Sequence, residues 1–330
     1  MKGKDQPSNG LIQVVLVQRV GLLVLPGFQV MGFAALSAFE VANNKLGKAA
    51  YGLHVLSEKG GLVRSSLGME VQTERMSSGE FDTILIAVDM KVPTISPAMG
   101  SHLQQTARST RRLASICLGA FALGEAGLLN GLHVTTHWRF SQELQDRYPE
   151  CKVDTDRIFI EDGNIWTSAG MSAGIDLALG LVEDDYGPDL AHEVAKGLVI
   201  HHRRSGGQSQ HSALLDLDPK ADRIQTALAY AKRNLHMRLD IEGLARAANL
   251  SPRHFTRLFR SETGVSPAKA IEALRLEAAK LLLEQGRLPI EVVARKAGFG
   301  ESERMRRAFI RAYGEAPRTL RNNAGPLEPI

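Results

Sequence analysis

The last third of the chain repeats one helical pattern, and that repeat narrows what the chain can fold into and do. Residues 241–264 (IEGLARAANLSPRHFTRLFRSETG) and 290–314 (IEVVARKAGFGESERMRRAFIRAYG) align with each other. Each begins with apolar residues at helical spacing: Ile241, Leu244, Ala245 and Ala248 in one, Ile290, Val293, Ala294 and Ala297 in the other. A tight turn follows, and then a second helix with an apolar stripe (Phe255, Leu258, Phe259; Met305, Phe309, Ile310) and an arginine-rich face. This is the pattern of a helix-turn-helix, present twice. Two such units on one rigid body reach two successive major-groove faces, roughly ~34 Å apart. The outward residues are Arg253, Thr256, Arg257 and Arg260 in the first unit and Ser302, Glu303, Arg306 and Arg307 in the second. Arginine grips guanine O6 and N7 with two hydrogen bonds, and glutamate accepts from cytosine N4. The competing reading, two amphipathic hairpins with solvated arginines, is weakened by the repetition.

The surrounding sequence fits. Ser266-Pro267 is a start signal for a long helix to about Glu284 that would hold the two units apart, and Ser251 and Ser302 lie near the N-cap positions of the reading helices. Charge is asymmetric: residues 221–330 carry 20 Lys+Arg against 12 Asp+Glu, and residues 1–220 carry 20 against 24. A basic end on a mildly acidic body suits a single phosphate-binding domain. Residues 203–222 (RRSGGQSQHSALLDLDPKAD) are rich in Gly, Ser and Gln and lack periodicity, which suggests a linker. The expected organisation is a domain over 11–204, a linker over 205–219 and a helical domain over 220–330.

The first two hundred residues alternate short apolar runs with helical patterns, which predicts a mostly parallel sheet covered by helices. Strands are expected at 21–25, 52–57, 83–88, 113–116, 133–136 and 164–167. Helices are expected at 32–43, 96–109, 119–126, 138–147, 171–185 and 190–201. A hairpin turn is expected at Asp162-Gly163, between 157–161 and 164–167. The segment 1–10 is polar and expected to fray. Residues 11–25 are interrupted by Gln13, Gln18 and Arg19, so they read as strand material and not as a signal peptide or membrane span. Two cysteines, Cys117 and Cys151, are too few for a disulfide framework and lack zinc spacing, which points to a reducing cytoplasm and to no metal or other cofactor.

One cysteine occupies a chemically suggestive place. LASICLGAF, residues 113–121, runs from an apolar strand straight into a helix, so Cys117 sits at a helix N-terminus, where the dipole favours thiolate. The run Thr135-Thr136-His137-Trp138 is expected at the end of the next strand, on the same edge of a parallel sheet, so Cys117 and His137 could share a pocket. On spacing alone, a buried and inert cysteine is the favoured reading.

Both halves resemble known families. Residues of about 222–321 resemble the DNA-binding domain of AraC/XylS-type transcription regulators. The second unit carries the pattern at Ala294, Gly298, Phe299, Phe309, Arg311, Gly314, Pro317 and Arg321, with Leu320 where the family usually has Tyr or Phe. Residues of about 19–202, through ASICLGAFALGEAGLLNGLHVTTHW and EDGNIWTSAGMSAGIDLALGLVE, resemble the ThiJ/PfpI branch of the class I glutamine amidotransferase-like superfamily. Together the resemblances imply a flavodoxin-like α/β three-layer sandwich followed by a seven-helix domain. They also imply a regulator, usually an activator, that senses a small nitrogenous metabolite, binds a double-stranded DNA operator, engages RNA polymerase and forms a homodimer.

The departures argue against an enzyme. Leu118 follows Cys117 where enzymatic relatives place His or else use a separate late His-x-Glu, and the first helix offers only Glu40 at its far end. Gly32 stands where related sensors often carry Asp, and Val88-Asp89-Met90-Lys91 replaces a Gly-Gly stretch. A thiol without a base or orienting carboxylate lacks the assembly that nucleophilic catalysis requires. The expected pocket is therefore a ligand site walled by Phe28, Met31, Asp89, Cys117, Leu118, His137, Trp138, Met171 and Ser172. Phe28 and Trp138 would stack on a ligand or cage a cationic amine, with Asp89 as the opposite charge. Two other readings remain at this stage: a regulator triggered by Cys117 oxidation or electrophile addition, and a Cys117-dependent hydrolase.

Overall fold

Continuous apolar runs build the centre of a sheet. β5 (Thr83–Ala87) and β6 (Arg112–Ile116) are buried along their whole length, as is β1 (Gln18–Val24) over its last five residues. Strands covered on both faces need no polar alternation. In this computed structural model the described residues are 17–77, 81–200, 204, 206, 210, 217, 219, 221–284, 288–314 and 316–322. They fall into two units, Met1–Gly206 and Gly207–Ile330. The polar segment 1–10 lies outside the described residues, as does most of the expected linker at 205–219.

The first unit is an eight-stranded sheet in the order β3-β4-β2-β1-β5-β6-β10-β9. Its members beyond the three central strands are β2 (Tyr51–Ser57), β3 (Gly61–Arg64), β4 (Glu70–Arg75), β9 (Phe159–Asp162) and β10 (Ile165–Ser168). All neighbours run parallel except the edge hairpins β3–β4 and β9–β10. One face is covered by α1 (Ala34–Leu46) and α5 (Ala173–Gly197), which bury Phe39, Ala42, Leu177 and Leu181. The other is covered by α2 (Pro97–Ser109), α3 (Gly119–Glu125) and α4 (Ser141–Arg147), through Leu103, Phe121 and Leu144. This is the flavodoxin-like three-layer sandwich.

Three details differ from the sequence expectation. The β3–β4 hairpin was not expected, because its residues are mostly exposed and carry little apolar alternation. The strand expected at 133–136 does not join the sheet. Only β7 (His133–Val134) is extended, and it pairs with β8 (Lys152–Val153) in a separate ribbon. Asp162 pairs with Ile165 inside the hairpin, so the turn residues are Gly163 and Asn164, one position beyond Asp162-Gly163. The helices expected at 171–185 and 190–201 are both present, as the two halves of α5 on either side of a break at Gly187, before Pro188.

In the second unit the described helices are α6 (Asp222–Arg233), α7 (Ile241–Ala247), α8 (Pro252–Thr263), α9 (Pro267–Glu284), α10 (Ile290–Lys296), α11 (Ser302–Tyr313) and α12 (Pro317–Asn322). They pack around two cores. Ile224, Leu244, Phe255, Phe259 and Leu274 fill one; Leu276, Leu283, Val293, Met305 and Phe309 fill the other. The first half of α9 therefore belongs to one helix-turn-helix and the second half to its repeat. No helix among the described residues is long and apolar enough to cross a membrane.

Candidate nucleic-acid interface and cysteine crevice

The α8 helix starts on a capped turn. Ser251 accepts a hydrogen bond from the His254 amide, and Pro252 takes the first helical position, where its missing N–H costs nothing. With Phe255 and Phe259 inside, Arg253, Arg257 and Arg260 are left exposed. These three, with Thr256 and Ser261, line one open hollow of about 650 Å³. Ser261 was missed from sequence, although it lies one helical turn beyond Arg257 on the same face. The Thr256 hydroxyl donates to the Pro252 carbonyl at 2.9 Å, which leaves its oxygen able to accept.

The α11 helix differs at its start. Glu301 holds the N-cap position without a side-chain hydrogen bond, and Ser302 is the first helical residue rather than the cap. Met305, Ala308 and Phe309 face inward, leaving Glu303, Arg306 and Arg307 exposed. Arg306 is held in a two-pronged ion pair with Glu303 at 2.8 and 2.9 Å. The pair holds the Glu303 carboxyl below its usual range and raises the Arg306 guanidinium. Arg311, on the same helix, turns back to Glu272 of α9 at 3.0 Å.

Cys117 sits between the end of β6 and α3 at φ 57, a left-handed conformation that a non-glycine residue adopts only under constraint. Its backbone N–H donates to the Ser168 carbonyl at 3.1 Å, and its carbonyl accepts the Thr136 hydroxyl at 2.9 Å. Gly170 presses against it so closely that a Cβ there would stand 2.1 Å from the Cys117 Cβ and 2.7 Å from Sγ. The elbow is thus fixed by the end of β10 and by the Thr135–Trp138 run. That run reaches Cys117 through a hydrogen bond and not as a strand of the sheet. The expected thiolate is not supported. Burial pushes the Cys117 thiol up to about 11, against a weaker opposing contact with the Leu118 backbone.

Of the residues expected around this pocket, Met31, Asp89, Cys117 and Met171 share one crevice with Gln29 and Gly32, and it has room for about one water molecule. Met31 and Met171 are 39% and 36% exposed, so the rim is built of side chains that can move. Asp89 accepts the Met90 amide at 2.6 Å. Phe28 and Leu118 are fully buried, and Phe28 packs on Phe33 with ring centroids 5.7 Å apart, so neither offers a face to a ligand here. The Ser66 amide, in the β3–β4 hairpin, donates to the Phe28 carbonyl. Trp138 is exposed and stacks on His137 at 5.6 Å, and the His137 ring accepts the Arg139 amide. Gly32 leaves no space for a carboxylate: a Cβ there would meet the Ala87 Cβ at 2.8 Å.

A polar clasp adjoins the crevice and was not foreseen. Ser172, next to Met171, accepts a hydrogen bond from Arg204 at 2.9 Å, and Arg204 also binds the buried Asp176 of α5. Gly206 follows, its carbonyl accepting the Ile158 amide at 3.2 Å. No sequence signal links residues so far apart.

Comparison with known proteins agrees with both halves. Residues 18–184 match the DJ-1/PfpI family and residues 244–323 a helix-turn-helix domain. The chain is 32% identical over 301 residues to the HTH-type transcriptional regulator CdhR of Pseudomonas aeruginosa, covering 89% of each protein. It is 30% identical over 325 residues to the HTH-type transcriptional regulator GlxA of Rhizobium meliloti, covering 94% of this chain and 97% of that one. Among solved structures, an AraC family transcriptional regulator from Pseudomonas putida matches 55% of this chain and 99% of its own, at 27% identity and a TM-score of 0.51.

Proposed function

The chain belongs to the AraC-type helix-turn-helix transcription regulators that carry an N-terminal DJ-1/PfpI domain, and from that premise we propose that it reads an operator through α8 and α11 under control of a small effector bound at the Cys117 crevice. The observation that carries the reading face is the single hollow lined by Arg253, Thr256, Arg257 and Arg260. Direct base readout needs solvent-facing donors on one early helix face, and these residues supply it. Arg306 and Glu303 are proposed as the matching readers of the second unit, with Ser302 and Arg307 beside them.

The first domain is proposed as a sensor without catalysis. A thiol pushed up to about 11 is almost wholly protonated at neutral pH, which makes it a poor nucleophile and a poor redox trigger. A carboxylate base at position 32 would have to push against the Ala87 methyl. These two observations weigh against the hydrolase and oxidation readings alike.

The effector is proposed to be a small nitrogenous cation that pairs with Asp89 and enters by displacing Met31 and Met171. Movement of Met171 carries Ser172 with it and loosens Arg204, the residue just before the 205–219 segment. That gives the effector different affinities for two arrangements of the chain, without which no switching occurs. Activation of RNA polymerase and homodimerisation complete the proposal.

The test is selection of binding sites by the full chain from a pool of random DNA duplexes. The reading expects enrichment of two short elements spaced by about one helical turn, lost in Arg257→Ala. Enrichment of one element only, or none, would overturn it.

A further inference from the structure

The junction between the two helix-turn-helix units is not made by apolar packing alone. Arg275 lies midway along α9, between the residues that serve the first core and those that serve the second, and is 8% exposed. Its Nη2 donates to the Met237 carbonyl at 2.8 Å and its Nε to the Leu235 carbonyl at 3.3 Å. Both carbonyls belong to the turn between α6 and α7, in the first unit. On the other side stands Gly298, in the turn between α10 and α11 of the second unit. A Cβ at Gly298 would lie 1.7 Å from the Leu235 carbonyl oxygen and 2.7 Å from Arg275 Nε. Turns from both units therefore meet on one guanidinium.

We propose that Arg275 is the positioning residue that sets the separation and angle of the two recognition helices, α8 and α11, with Gly298 as the bare surface against which it works. A planar fork reaches two carbonyls at once, whereas a lysine ammonium would be a point donor on a flexible stem. The Arg275 side chain is itself buried, so a guanidinium that lost these two acceptors would be a buried charge short of partners. The apolar cores hold each unit to its own half of α9, and this contact brings the first unit's turn against the second unit's turn. Glu272, one turn earlier on α9, holds Arg311 of α11 and steadies the same side. The inference rests on the reading that both units meet one duplex, since only then does their separation matter.

The separation can be measured without DNA, so its test stands apart from that reading. Spin labels are attached through a ketone-bearing residue, which spares Cys117 and Cys151, at exposed Ser261 on α8 and exposed Ile310 on α11. Pulsed electron resonance on the full-length protein is expected to give one narrow distance distribution. Arg275→Met and Gly298→Ala are expected to widen or displace it while the helical circular dichroism is retained. An unchanged distribution in folded Arg275→Met overturns the proposal. If Arg275→Met does not fold, Arg275→Lys decides. It keeps the charge but replaces the rigid planar fork with a flexible stem, so a widened distribution supports the role and the native one overturns it. The same variants are then carried through selection from random duplexes. A relaxed choice of spacing with both elements still recognised separates positioning from a general loss of structure.

Discussion

Arg204 holds Asp176 through three hydrogen bonds, from its backbone amide at 3.0 Å and from Nε and Nη2 at 2.9 and 2.6 Å, although 28 residues separate them. The pair is asymmetric: the Arg204 side chain is 29% exposed and that of Asp176 only 5%. Removing the arginine side chain takes two charge-assisted donors from a buried carboxylate, whereas removing the carboxylate leaves an arginine that can turn to water. Arg204→Ala is therefore expected to destabilise the first unit by about 1–3 kcal/mol, and Asp176→Asn by less. Trp138 and Trp166 are the two tryptophans of the chain and both lie in this unit, so urea denaturation followed by their fluorescence isolates it. Equal losses would show that the clasp is not what keeps Asp176 paired.

On the reading face, Arg257→Ala is expected to weaken binding to a selected duplex by about 1–3 kcal/mol and to relax the choice of base at one position. Arg306 starts from a different state, because Glu303 already occupies it. Glu303→Ala is expected to free that guanidinium and shift base preference opposite the second unit while raising the overall affinity. Fluorescence anisotropy over a series of salt concentrations separates the two effects, since a lost phosphate contact changes the salt slope and a lost base contact does not. An unchanged base preference in folded Glu303→Ala would remove the pair from the reading face.

The buried thiol makes stability depend on pH. The Cys117 pKa rises from 9.0 to about 11 on folding, so between these values the folded chain keeps a proton that the unfolded chain has lost. The contribution is complete below pH 9 and falls away as pH rises through 11, by up to about 3 kcal/mol at roughly 1.4 kcal/mol per unit. Denaturation midpoints at pH 8 and pH 10.5 are expected to differ more in the native sequence than in Cys117→Ala. Equal differences would place the thiol in a less buried setting.

Gly32→Asp would restore a carboxylate to the first-helix region of the crevice. The Ala87 methyl stands in its way, so the variant is expected to lose about 1–3 kcal/mol through overpacking and to gain no hydrolytic activity. Turnover of an ester or amide substrate by folded Gly32→Asp would show that the missing carboxylate was the only obstacle to catalysis.

Much of the second unit was legible because its chemistry is local. Phe255 and Phe259 fix the inward face by spacing alone and leave Arg253, Arg257 and Arg260 outward, and the repeat at Met305, Phe309 and Arg306 fixes it again. The N-cap of α11 was less legible because Ser302 has a capping side chain, yet the backbone puts Glu301 at that position and Ser302 inside the helix. In the first unit, the strands that read clearly were those buried on both faces, such as Thr83–Ala87. The exposed hairpin at Gly61–Arg64 and Glu70–Arg75 gave no pattern of its own. At the crevice, the sequence pointed to Cys117, Met31, Asp89 and Met171 together. It set Phe28 on the pocket wall although that side chain is fully buried, and it took the thiol for a thiolate because a helix-end argument left out desolvation. The Arg204 clasp and the Gly170 approach are purely tertiary, so nothing near them in sequence announces either.

The central claim is that a small nitrogenous effector binds at the Cys117 crevice. The direct measurement is a thermal-shift titration of the full-length protein, followed by tryptophan fluorescence, against a panel of amino acids, betaines and polyamines. The account predicts a saturable rise in melting temperature with one class of compound, abolished in Asp89→Asn and in Met171→Trp, which fills the crevice mouth. A saturable rise that survives both substitutions would place the effector elsewhere and contradict it.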